Sequence, residues 1–241
     1  MKRILPIFFL LLFVFCAPAD PPCVTTPCAE NINKIADCPD EGCTRTEGHK
    51  FDQELDKRKN VQSDDQQPVL RTIRWMKGLD DPTNLTECGS REELKQLGEG
   101  QKITVVALAL TAKKGGPESC NCDLPGPANQ DNHIVLVDPR VKNPTLAKDE
   151  IRSVTAEFTP RVRLQHPNFT RTKLNKLIKP KGKLLIRITG LVLFDSKHFF
   201  HDDLTRDTNW EIHPVLKMEY CAKGKTCRAD RDENWIDLDN D

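Results

Sequence analysis

Apolar and polar positions alternate with strand-like period in five stretches beyond Gly100, and with helical period in one. Residues 103–112 are apolar on both faces. Residues 133–137 form a second strand pattern. In 151–159, Val154, Ala156 and Phe158 share one face, with Thr155 and Glu157 on the other. "NFTRTKLNKLI" then places Leu174, Leu177 and Ile178 at helical spacing. Residues 184–194 form a fourth strand, with Gly190 marking a kink or bulge. In 210–220, Trp210, Ile212, Pro214, Leu216 and Met218 face one way, and Glu211, His213, Lys217 and Glu219 the other. The order β-β-β-α-β-β predicts a mainly β fold, a five-stranded OB-like barrel spanning residues 100–220.

Residues 20–68 contrast with this. They are poor in apolar side chains and rich in Asp, Glu, Lys, Gln and Pro, too little to offset ordering entropy unaided. They read as an irregular, disulfide-held N-terminal arm. Residues 69–99 form a connecting segment. Within it, 69–78 reads as a short helix or extended stretch anchored by Trp75. Ser90 with Glu93 three positions on is a capping-box pattern for another short helix. Residues 221–241 hold a cysteine loop and an acidic tail, read as disordered. That tail vaguely matches a calcium loop, but Trp235 stands where the loop needs glycine.

The first nineteen residues carry a secretory signal: Met1-Lys2-Arg3, an apolar run, then Ala17-Pro18-Ala19. Lipid anchoring at Cys16 is disfavoured by the bulky Phe15 before it. No later apolar run could span a bilayer. An exported, periplasmic or secreted setting follows, in which the remaining cysteines should pair. Of 10 cysteines in the 241 residues, nine survive cleavage, leaving about one thiol free. Cys23–Cys28, Cys38–Cys43 and Cys221–Cys227 each delimit a small closed loop. Cys120 and Cys122 stand too close to pair without strain. One solution sends Cys38 and Cys43 across to them. A second closes Cys38–Cys43 locally and leaves Cys120 and Cys122 to others such as Cys88. A four-thiolate zinc site is the rival, without the usual C-x₂-C spacing.

The series "CPDEGC", "LDKRKN", "GPESCNC", "DNHIVL", "EFTPRVRLQHP", "ITGLVLFD" and "TNWEIHPVLKMEY", covering Cys38 to Tyr220, resembles a family of uncharacterised, mostly bacterial, exported proteins of OB-like fold. The resemblance implies the fold and no activity.

Formal charges balance at 36 basic against 36 acidic groups. Their distribution is uneven: residues 140–187 hold thirteen Lys or Arg against Asp149, Glu150 and Glu157. A basic segment on such a barrel suggests a polyanionic ligand. The missing sheet aromatics disfavour nucleic acid. The loop "DSKHFFHDDLTRDTN" offers His198, His201, Asp202, Asp203 and Asp207, a mixture able to bind divalent metals, although Phe199 and Phe200 suggest a loop pinned by apolar contact. His133, Glu157, Arg161 and His213 could serve acid–base or phosphodiester hydrolysis, yet no catalytic fingerprint is present. His166 and the other histidines suit structural hydrogen bonding. The sequence therefore points to an exported binding or envelope-interaction module, with a hydrolase using that His/Glu/Arg set as the alternative. Neither cofactor nor metal is expected. OB barrels bind on strands two and three, so the expected contacts are Asp131, His133, Glu157, Arg161, His198 and His201.

Overall fold

The computed structural model describes residues 23–201 and 204–240. The signal stretch, Cys16, Asp202 and Asp203 lie outside them. Five strands close a mixed barrel: β2 (Lys102–Lys114), β3 (Asn132–Val137), β4 (Val154–Phe158), β5 (Leu184–Phe194) and β6 (Trp210–Cys221). Their order around the barrel is β2-β3-β4-β6-β5, with β5 returning to β2. Neighbours run antiparallel except β4 and β6, which meet in parallel at Ala156 and Ile212. This is the predicted OB-like arrangement. The long β2 serves two partners, β5 along residues 102–109 and β3 beyond a bulge at Ala109–Thr111. β1 (Val69–Arg71) adds in parallel beside its start, and β7 (Trp235–Asp237) pairs with β6.

Alternate residues fill the barrel: Ile103, Val105, Ala107, Ile134, Ala156, Phe158, Ile186, Ile188 and Ile212 are all buried in one cluster. The helix between the third and fourth barrel strands, α6 (Arg171–Ile178), adds Leu174 and Ile178 to that core. Thr170 caps it by accepting from Lys173 N. Two shorter helices, α4 (Leu146–Asp149) and α5 (Pro160–Arg163), flank β4. No helix among the described residues is long and apolar enough to cross a membrane.

Several local expectations change. Gly190 does sit at a bulge, where an added Cβ would meet Pro214 O at 2.4 Å. The slip it imposes moves the phase of β6, so Val215 rather than Leu216 enters the core beside Met218. In the connecting segment, Ile73 and Met76 of α2 (Ile73–Lys77) are the buried anchors, while Trp75 is half-buried beneath the Arg71 guanidinium. The helix after Cys88 forms as α3 (Glu92–Leu97) without the box. Glu93 instead accepts from Thr83 and Asn84 backbone N–H groups. The acidic tail is ordered: Leu238 is buried in the core, and Asp239 pairs with His166 and accepts from Asn168 N. Apolar Ile236 and Leu238 outweigh the surrounding acids.

The arm is disulfide-held, by a pattern only partly anticipated. The bridges are Cys23–Cys88, Cys28–Cys43, Cys38–Cys122 and Cys221–Cys227. Cys38 crosses to the Cys-Asn-Cys turn as expected. The small loops Cys23–Cys28 and Cys38–Cys43 do not form, and Cys120 is left as a buried thiol. The arm also shares a small core with the loop after β2, where Ile32, Ile35, Cys38 and Cys43 pack with Cys122 and Leu124. It includes a polar helix, α1 (Gln53–Lys59), capped by Asp52.

Asp56 of α1 is buried beneath Gly42 and Ser119, and burial pushes its carboxyl up to about 8. Its folded-state pKa lies above the unfolded value. Its contribution to stability is therefore full below about pH 4 and lost as pH rises to about 8, at up to about 1.4 kcal/mol per pH unit. Urea unfolding of Asp56→Asn between pH 5 and pH 8 should show that slope flattened relative to wild type. An unchanged slope would assign the pH dependence elsewhere.

Candidate functional site

The residues opposite the barrel interior on β3, β4 and β6 converge. His133 and Glu157 are direct cross-strand partners. Ala156 opposite Ile212 brings Glu211 and His213 beside them, because successive residues alternate across a sheet. This is the strand-two and strand-three face on which OB barrels bind ligands. Here it is roofed by the turn around Cys120, by α1 of the arm, and by α7 (Ser196–His201) with Leu204, Thr205 and Arg206.

Glu157 Oε2 lies 3.3 Å from His133 Nε2 and 3.4 Å from His213 Nδ1. His213 Nδ1 also lies 3.1 Å from Glu211 Oε1, and its Nε2 3.8 Å from Asp131 Oδ2. Glu211 is fixed in turn by Arg206, at 3.1 Å, and Arg206 by Asp195 at 2.7 Å. An ionised Glu211 only accepts hydrogen bonds, so His213 Nδ1 is the donor in that contact, and Nε2 faces Asp131. Asn121 Nδ2 donates to Asp131 Oδ1 at 3.1 Å and leaves Oδ2 facing inward. Gly115 makes room: a Cβ there would stand 2.9 Å from His133 Nε2 and 3.0 Å from Asp131 O.

Several polar atoms at this convergence lack a hydrogen-bond partner, among them Asp131 Oδ2, His133 Nε2, Glu157 Oε2 and His213 Nε2. Buried polar atoms are ordinarily satisfied, so such a set marks a place for something to bind. Donor atoms of Asp131, Glu157 and His213 lie within 4.8 Å of one another, and so do those of Glu118, His133 and Glu157. Both sets are close enough together to hold a metal ion.

Electrostatics agree. Burial, with neighbouring Glu211 and Asp131, pushes Glu157 well above the carboxylate range. Burial, then Glu118, raises Asp131. Burial lowers His133, favouring the neutral, lone-pair-bearing ring. Glu211 is held low because Arg206 and the His213 hydrogen bond overcome its burial. Glu118, despite burial, is drawn down to about 2 by the Lys59 ammonium, 2.5 Å away. Glu118, Asp195 and Glu211 keep their charge against Lys59 and Arg206. Asp131 and Glu157 are left without a cation, and a bound metal ion would favour their ionised forms.

Not every expected residue takes part. Arg161 turns away: its Nη2 donates to Cys38 O and Pro39 O at 2.7 Å, and its Nη1 to Asp40 at 3.1 Å. It clamps the arm instead. His198 is held by Asp195 at 2.5 Å and lines a cleft beside His133. His201 lines a separate cleft with His49 and Phe200. Asp207 pairs with Lys77 at 2.7 Å, and no metal-binding group assembles among the described residues of the His/Asp loop. Phe199 does pin it to the core, while Phe200 is exposed. The basic segment is also less available than its count suggests. Arg161 and Arg187 are buried, Arg187 on Glu219, and Arg163 binds backbone carbonyls of 127–130.

Lys59, Glu118, Asp195 and Arg206 were not anticipated. Their approach depends on how the arm and the long loops fold back, which no local spacing encodes. Glu211 and His213 were legible as same-face neighbours. Comparison with family models, curated proteins and solved structures finds no match. The geometry alone therefore carries the functional assignment.

Proposed function

We propose that this chain is a binding module whose ligand is a divalent transition-metal ion of the zinc class, held on the strand face of the barrel. The four orphaned, mutually facing atoms of Asp131, His133, Glu157 and His213 carry the reading. Imidazole and carboxylate together suit zinc, copper, iron or nickel, whereas magnesium and calcium prefer oxygen alone. The Glu211–His213 contact is the carboxylate–histidine support that metal-binding imidazoles usually have. The four disulfides favour an exported, oxidising setting.

Two observations favour binding over the phosphodiester hydrolase. Arg161, its anion-binding member, is committed to the arm. Glu157 and His213 are covered, and the His133 side chain reaches solvent at 29% exposure. So covered a set suits a small ion rather than a polymer strand.

Chelator-stripped protein titrated with zinc at neutral pH should show saturable binding with proton release. At a free concentration 100 times the dissociation constant, stabilisation should reach about 2.7 kcal/mol, read as a rise in Tm. Magnesium and calcium should give neither. Absence of saturable zinc binding, or equal binding of magnesium, would rule the reading out.

A further inference from the structure

The Cys-Asn-Cys turn splits its two sulfurs. Residues Ser119–Asn121 form a single 3-10 turn, and Cys122 adopts the left-handed conformation at φ 55°. Cys122 is thereby committed to Cys38 of the arm. Cys120 points to the other side, towards the strand-face cluster. Its Sγ donates to Glu118 Oε2 at 3.6 Å, and it is the free cysteine of the described residues.

The surroundings of Cys120 are not those of a core cysteine packed for its volume. Donor atoms of Glu118, Cys120 and Asp131 lie within 4.8 Å of one another. Asp131 is fully buried and its Oδ2 has no hydrogen-bond partner. Asp131 also belongs to the donor set with Glu157 and His213, so the sulfur adjoins the same centre. Zn–S and Zn–O bonds of about 2.3 and 2.0–2.2 Å ask such atoms to stand about 4 Å apart or less. Small side-chain adjustments suffice.

We infer that Cys120 is a thiolate ligand of the metal centre, bound together with Asp131 and Glu118. The inference rests on the metal-binding reading above and adds the sulfur to it. Coordination breaks the Sγ–H bond. Both electrons stay on sulfur and are donated to the cation, and the proton is released to the buffer. No electron is transferred. A mixed N, O and S donor set makes the centre selective for thiophilic ions, namely zinc, cobalt(II), cadmium and copper(I), over manganese, magnesium and calcium. It also explains a thiol kept out of the disulfide framework: pairing it would remove a ligand.

Cobalt(II) added to the chelator-stripped full chain tests this without a substitution. Visible d–d bands report cobalt in the centre, and a near-ultraviolet thiolate-to-cobalt charge-transfer band reports sulfur coordination. Both are expected to grow and saturate together. Cys120→Ser should lose the charge-transfer band and keep d–d bands. If wild type shows d–d bands alone, Cys120 is not a ligand and the metal-binding reading stands. If neither feature appears, both fall. The wild-type spectrum decides even if the serine variant does not fold.

Discussion

Glu157→Gln is expected to abolish tight zinc binding while leaving the metal-free protein as stable as wild type, or more so. Glu157 contacts both histidines and belongs to two of the donor sets. Glutamine keeps the side-chain volume, so no cavity opens, but removes the anionic oxygen that a divalent ion requires. Losing a supporting partner of a metal ligand typically costs 10–100-fold in affinity. Losing the shared ligand should cost at least on the order of 100-fold. Glu211→Gln, which weakens the hold on His213 without removing a ligand, should fall within about 10–100-fold. The stability effect has the opposite sign. Glu157 has its pKa raised by burial and by Glu211 and Asp131, so its charged form destabilises the empty protein as pH rises above the unfolded carboxylate value. An uncharged glutamine removes that penalty, a trade of stability for function common at binding sites. Calorimetric titration with zinc and thermal melts with chelator at pH 7 measure the two effects. Unchanged zinc affinity in Glu157→Gln would place the ion elsewhere, and unchanged affinity in Glu211→Gln would deny that residue its positioning role.

The barrel was legible because its strands alternate. Each predicted strand lies within three residues of its observed ends, and the helix carrying Leu174 and Ile178 falls where the order requires. Legibility fails where alternation is interrupted or outvoted. The bulge at Gly190 shifts the phase of β6 after Ile212, which a strict period of two cannot follow. The C-terminal residues read as acidic and free, yet two apolar side chains suffice to dock them on a sheet edge. The arm reads as irregular because its helix α1 is polar on most sides, although Asp52 was a visible cap.

The site divides the same way. His133, Glu157 and His213 were legible as candidates from strand position, and Asp131 from its place at the end of the loop before β3. Their role was not, because four separately unremarkable residues become a metal-like set only when their free atoms face one another. Arg161 shows the reverse error: a cation beside the ligand face in sequence belongs to the arm in space. Cys120 and Cys122 were each expected to find a distant partner; Cys122 does, and Cys120 does not. Which sulfur took which depended on the turn between them, and above all on a pairing of Cys28 with Cys43 that frees Cys120.

Removing the Cys38–Cys122 bridge should have the largest effect on stability. Its ends are 84 residues apart, and closing a loop of that size is worth about 4.5 kcal/mol in the chain-entropy model. Against a typical total of about 5–15 kcal/mol this is a large fraction. It corresponds to a fall in Tm of roughly 10–18 °C for a chain of this size. The loss should begin in the arm. Once Cys38 is released, Ile32, Ile35 and Leu124 keep only a small apolar cluster, held by Cys23–Cys88 and Cys28–Cys43 and by polar straps such as Arg161 to Cys38 O and Thr44 to Asp123 at 2.9 Å. Cys38→Ser with Cys122→Ser should therefore become protease-sensitive within the arm before the barrel melts. Because α1 delivers Lys59 against Glu118, the same variant should open the roof of the metal centre and speed zinc exchange. Thermal melts, limited proteolysis mapped by mass spectrometry, and zinc dissociation into excess chelator follow these three consequences. A double variant that melts within 2–3 °C of wild type, about 1 kcal/mol at this size, and resists protease in the arm would show that packing and polar straps hold the arm without the bridge.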